Sequence, residues 1–193
     1  KEEIPIGVLN TLIFHYAGAN DVEKVGEILW FIEKRKIQPD AATFTPVLKV
    51  YGNNFNAVTK YLHKMRELNV QQDSRIYTPL FRRYFKFGRP GRMKTLRALM
   101  VELGVKLDEI LGNELLSMFA EKDLVDEAED VFEQMASEGV KCNISDFNHM
   151  LEKVETKKVN YYVKKVKQLQ VTPNEETNDI VLKKTGKILE PSY

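Results

Sequence analysis

EILGNELLSMFAEKDLVDEAEDVFEQMASEGVKCN, residues Glu109 to Asn143, reads as two short helices joined by a break at Lys122-Asp123. In the first half Leu111, Leu115, Met118 and Phe119 recur at helical spacing. In the second, Leu124, Ala128, Val131, Phe132 and Met135 do the same, and acidic residues fill the opposite face. Gly139 stands where a closing left-handed residue is needed. A hairpin this small cannot bury both apolar faces alone, so it requires neighbours.

Sliding the segment along the chain finds those neighbours. Residues 74–108 match over the full length, with Met100 under Met135, Gly104 under Gly139 and Asp108 under Asn143. Residues 6–40 match equally, 41–73 match with a shorter mid-hairpin turn, and 144–174 are shorter still there. A partial copy occupies 175–190, leaving 1–5 and 191–193 as flanks. Asn20 or Asp21 is expected to cap a second helix, Asn69 to replace a closing glycine, and Pro46 and Pro79 to sit in first helical turns. Self-similarity at this period predicts an all-α fold, a right-handed α-α superhelix (solenoid) of about five hairpins of ~35 residues plus the start of a sixth.

Composition excludes several classes. Over 193 residues, 43% hydrophobic and 30% charged, no apolar run approaches the roughly 18 residues of a membrane helix. The sequence starts at Lys1, so it reads as part of a longer protein, and any targeting peptide would lie upstream. Cys142 is the single cysteine, which rules out an internal disulfide and argues against a thiolate zinc site. His15, His63 and His149 fall in three different repeats without metal-ligand spacing. The acidic run Asp126, Glu127, Glu129, Asp130 and Glu133 has the spacing of one solvent face rather than of a nuclease site, and no phosphate loop or nucleophile elbow appears. The reading is therefore a non-enzyme with no cofactor, no metal and no small-molecule substrate.

The net charge of +1 conceals a strong local pattern. Residues 74–108 carry nine Lys or Arg against two acids, whereas 109–143 carry two against ten. Arg82, Arg83, Lys86 and Arg89 follow one another along or just after the first helix of the basic repeat, interleaved with Tyr84, Phe85 and Phe87. They are the candidate phosphate contacts. A second cluster, Lys157, Lys158, Lys164, Lys165 and Lys167, reads as a solvated face.

The phrases NTLI…IQPD (Asn10 to Asp40) and DEAEDVFEQMASEGVK (Asp126 to Lys141) resemble the pentatricopeptide repeat, and the resemblance extends from Ile6 to about Asp179. The tetratricopeptide repeat has a similar period, but its Trp-Leu-Gly-Tyr and Ala-Phe pattern is not reproduced. The resemblance implies binding of single-stranded RNA, one base per repeat, read by the fifth and last residues of each repeat. Those pairs are Asn10 with Asp40, Thr45 with Asp73, Thr78 with Asp108, Asn113 with Asn143, and Asn148 with Asn174. By the family's code they imply a preference near 5′-UGGCC-3′. The second residue of each repeat, which sandwiches the base in that family, is Gly7, Ala42, Arg75, Ile110 and Ser145; Ile110 fits, and Arg75 could stack through its guanidinium. The family's phosphate-approaching lysine is kept at Lys86, while Gly18 and Glu121 depart from it. Membership implies work on organellar transcripts, in RNA stability, processing or translation, in mitochondria or alternatively chloroplasts. The competing expectation is a protein-interaction scaffold within an organellar ribosome or ribonucleoprotein complex, because an acidic repeat repels phosphate.

Overall fold

The computed structural model describes residues 4–188. They form eleven helices and no strand among the described residues: α1 Ile6–Gly18, α2 Val22–Lys34, α3 Ala41–Tyr51, α4 Phe55–Glu67, α5 Ser74–Lys86, α6 Pro90–Glu102, α7 Glu109–Glu121, α8 Val125–Glu138, α9 Ile144–Lys153, α10 Thr156–Gln168 and α11 Glu175–Thr185. The all-α repeat fold expected from the sequence is the one observed. The chain divides into two compact units, Lys1–Val105 and Lys106–Tyr193. Residues 1–3, and 189–193 at the end of the partial sixth copy, lie outside the described residues. No helix among those described is long and apolar enough to cross a membrane.

Local chemistry sets the helix ends. Asp21 caps α2 by accepting the Lys24 N–H at 3.0 Å, and Asn54 caps α4 by accepting that of Ala57 at 3.1 Å. Asp40, Asp73, Asp108, Asn143 and Asn174 each cap the first helix that follows them. Asn69 and Gly139 close their hairpins at φ 54° and 69°, the left-handed region. The prolines depart from expectation. Because α3 and α5 begin at Ala41 and Ser74, Pro46 and Pro79 are sixth residues, one turn further in than predicted, and each removes one helical N–H bond.

In the first unit α1, α3 and α5 pack side by side, with α2, α4 and α6 joined to them as hairpin partners; in the second, α7, α9 and α11 form the row. Met65, Met100 and Met135, late in their second helices, are fully buried, as are Leu62, Leu96 and Val131. The second unit is centred on Phe132, whose ring lies 5.3 Å from that of Phe147 and 5.6 Å edge-on from that of Tyr162. This ring ties α8 to α9 and α10, so packing between these successive hairpins contributes to the stability of the unit. Phe132→Ala should therefore destabilise the chain by about 3–5 kcal/mol, measured by urea unfolding.

Candidate nucleic-acid interface

In the first unit the side chains of α1, α3 and α5 enclose an open groove of about 510 Å3. Its floor is apolar, made by residues such as Ala17, Pro46 and Leu80, while Lys49, Arg75 and Arg83 supply cations. Phe14 lines it with 74% of its surface exposed. The sequence reading passed over Phe14, although its position outside the buried stripe Leu9, Ile13, Ala17 marks it as an aromatic with no core to fill.

The expected reading pairs do not share one geometry. Asn10 is half-buried; its Nδ2 donates to Asp40 Oδ1 at 3.0 Å, and its Oδ1 accepts from Thr43 Oγ1 at 2.7 Å. Thr45 is exposed and turns its hydroxyl back onto the Ala41 carbonyl at 2.8 Å. Its partner Asp73 is held by Arg75, which donates its backbone N–H at 3.0 Å and its side-chain Nε and Nη2 at 2.9 and 2.6 Å. Those bonds hold the Asp73 carboxyl below the usual carboxylate range. Arg75, the stacking candidate, is thus folded onto the cap of its own helix, though its side chain stays largely exposed.

Thr78 is half-buried and its hydroxyl has no hydrogen-bond partner among the described residues. Asp108, in the second unit, is exposed and accepts the Leu111 N–H at 2.8 Å. Asn113 is spent on backbone: its Nδ2 donates to Glu109 O at 2.7 Å and Lys141 O at 3.1 Å, and its Oδ1 accepts the Asn143 N–H at 2.6 Å. The Asn143 side chain accepts from Ser145 N instead of facing Asn113. Asn148 is buried, and its Nδ2 donates to both Asn174 Oδ1 and Glu176 Oε2, at 3.0 and 2.8 Å. Ile110, the other stacking candidate, is 64% exposed at the start of α7.

The phosphate candidates also separate. Arg82, Lys86 and Arg89 are exposed. Arg83 is not free to swing, because its Nη1 donates at 2.8 Å to the Lys49 carbonyl in the last turn of α3. A cation there satisfies a terminal carbonyl and complements the helix dipole. A methyl group at Gly52 would collide with this guanidinium, and Tyr84 Oη donates to the Gly52 carbonyl at 3.0 Å. Of the interleaved aromatics, Tyr84 is core, Phe85 is half-buried and Phe87 is 57% exposed.

The lysines of the fifth repeat are not simply solvated. Lys158 pairs with Glu129 at 2.5 Å, Lys165 with Glu133, and Lys153 with Asp123 at 2.7 Å, so the acidic second helix of one repeat is matched by the basic residues of the next. Lys157 pairs within its own helix start, with Glu155. No group of three or more His, Cys, Asp or Glu that could hold a metal occurs among the described residues. Burial pushes the Cys142 thiol up to about 12. A thiol so held stays protonated at neutral pH, so Cys142 should resist a disulfide reagent at pH 8 in the folded chain and react on unfolding, which absorbance titration with and without urea would show.

The pentatricopeptide repeat domain model matches residues 5–54, 95–155 and 130–187, together more than half of the chain. Among solved structures, the pentatricopeptide repeat protein PPR10 of maize aligns at a TM-score of 0.57 and 21% identity over 93% of this chain and 26% of its own. This chain thus spans about a quarter of the maize protein. The repeat domain of Arabidopsis thaliana protein-only RNase P 1, solved in complex with tRNA, aligns at a TM-score of 0.57 and 15% identity over 94% of this chain and 98% of its own. At these identities the likeness is one of fold. No curated protein sequence matches significantly.

Proposed function

The chain belongs to the pentatricopeptide repeat family, and from that premise we propose that it binds single-stranded RNA along its first helices, with base selection concentrated in the first three repeats. The observation that carries this reading is the groove of the first unit, where an exposed aromatic, Phe14, shares an apolar trough with Lys49, Arg75 and Arg83. A ring face and flanking cations suit a stacked base and its phosphate. The Arabidopsis relative's repeat domain, a match in fold alone, is one bound to tRNA.

Selection belongs to Asn10 with Asp40, to Thr45 and to Thr78, the exposed or half-buried members of the first three pairs. Asn113 and Asn148 already spend their amides within the protein, so the bases facing them are tolerated rather than chosen. The preferred element shortens from 5′-UGGCC-3′ to 5′-UGG-3′ followed by any two bases. Arg82, Lys86 and Arg89 contact phosphate outside the groove, and Arg83, which gives one N–H to the Lys49 carbonyl, offers its remaining N–H groups within it. The role is non-catalytic, on organellar (mitochondrial) transcripts, as the family resemblance implies.

Neutralising Arg82, Lys86 and Arg89 together should weaken binding of every RNA alike and reduce the slope of log affinity against log salt by about 2, at roughly 0.7 per phosphate contact. Fluorescence anisotropy of a labelled UGGCC-containing RNA from about 0.05 to 0.3 M salt reads this out. An unchanged slope would reject these three residues as phosphate contacts.

A second reading, as an interaction scaffold, is favoured by one feature. A groove of about 490 Å3 on the second-helix side of the first unit is lined by Trp30, Phe44 and Tyr61, and Trp30 is 59% exposed with Lys34 over its ring. Aromatics of this kind anchor protein interfaces. Absence of RNA binding, with association of a partner lost on Trp30→Ala, would select it.

A further inference from the structure

The seam between second helices one repeat apart is filled differently in the two units. In the second unit the fifth and ninth residues of α8, Glu129 and Glu133, pair with the third and tenth of α10, Lys158 and Lys165. Counted the same way, the fifth and ninth residues of α2 are Gly26 and Trp30, and the third and tenth of α4 are Ala57 and Lys64. Both acids are thus missing from this seam of the first unit, while one of the two lysines is kept.

What stands open in their place is the groove beside Trp30. Gly26 brings no side chain into it, and Leu29, Ile37 and Leu68, each half-buried, give it an aliphatic lining. Lys36, Lys60 and Lys64 supply positive charge against one acid, Glu33. The Lys64–Glu33 pair is 3.5 Å long and its side chains are 41% and 73% exposed, so solvent screens it and a closer carboxylate would displace it. Trp30 presents its ring at the edge of this trough, with Lys34 4.4 Å from the ring centre.

We propose that this groove docks an acidic segment of a partner protein, which sets an apolar side chain against Trp30 and its carboxylates on Lys60 and Lys64. The partner supplies from outside the acids that α8 supplies from within the chain. The proposal rests on the scaffold reading of this groove and requires nothing of the RNA interface. An aromatic anchor ringed by complementary charge is a common way of holding a peptide segment. A polynucleotide suits the trough less well, because its aliphatic lining offers no partner to a base edge and Glu33 repels phosphate.

Trp30 is the only tryptophan of the chain, so its emission reports on the groove directly. The probes are synthetic glutamate-rich peptides of about 15 residues, four helical turns. One set carries a leucine and a phenylalanine at helical spacing, the other at strand spacing. Titrated into the full chain at about 0.15 M salt, at least one set should shift Trp30 emission to shorter wavelength. Versions with Gln for Glu, or with Ser for the apolar pair, should not bind. Lys60→Glu combined with Lys64→Glu should weaken affinity about thirty-fold or more. Trp30→Glu, which restores the seam acid facing Lys64, should do the same, read by anisotropy of the labelled peptide. Gly26→Glu combined with Ala57→Lys should close the groove from within and abolish binding; a methyl group at Gly26 lies 3.4 Å from the Tyr51 hydroxyl, an ordinary contact. If that pair does not fold, the surface lysine variants decide.

No emission shift with either set, equal binding of the Gln or Ser versions, or wild-type affinity in the lysine and Trp30 variants overturns the proposal. Displacement of the peptide by single-stranded RNA overturns it too, and assigns the groove to nucleic acid. Each variant is also titrated with the labelled UGGCC RNA. Lost peptide binding with unchanged RNA affinity is the expected result, and loss of both overturns docking. A wild type that binds peptide but no RNA sinks the RNA reading alone.

Discussion

The oxygen that an Asp or Asn side chain offers to the backbone N–H two or three residues ahead sets the start of every first helix after the initial one. Without that bond the opening turn would leave several N–H groups unsatisfied. Because hairpins within each unit stack on one another, an error in where a first helix starts would carry into the register of the next. The capping residue is also the last member of each expected reading pair, so one carboxylate or amide serves backbone and interface at once. Asp40 Oδ1 is committed to the Thr43 N–H and the Asn10 amide. An amide has one oxygen and a pair of N–H groups, and the Asn174 oxygen is fully taken by Thr177 and Asn148.

Helix periodicity and the 35-residue recurrence made the fold legible, because both follow from burying one face per helix. The helix starts were readable as well, since the capping residues recur in register. What the sequence concealed is the hydrogen-bonding state of each fifth residue. Asn113 and Asn148 are the same residue at the same repeat position, yet one bonds to backbone carbonyls and the other to an amide and a carboxylate. That difference turns on neighbours such as Glu176 and on the turn geometry of a shortened repeat, which spacing alone does not encode. The Asp-x-x-Thr and Asn-x-x-Thr spacings at 40–43 and 174–177 were available signals for the hydroxyl bonds from Thr43 to Asn10 and from Thr177 to Asn148. Arg83 shows what a basic run conceals: one of its N–H groups is already given to the Lys49 carbonyl.

Charge counted by repeat exaggerates the field that a ligand would meet. The acids of α8 are answered by Lys158 and Lys165 of α10, and Glu129, though 7% exposed, keeps a cationic partner. Exposed pairs contribute little, but a carboxylate buried to that extent requires its counter-charge. In the third repeat Arg82, Lys86 and Arg89 are exposed.

These pairings also bear on how interchangeable the repeats are. The family's architecture suggests units that could be reordered or duplicated at will, but α8 and α10 are complementary to each other in charge, residue by residue, one period apart. Placing the fourth repeat beside any hairpin that lacks those lysines would bury Glu129 against nothing of opposite sign. The chain is modular in shape and not in permutation: the order of its fourth and fifth hairpins is written in the pairing of α8 with α10.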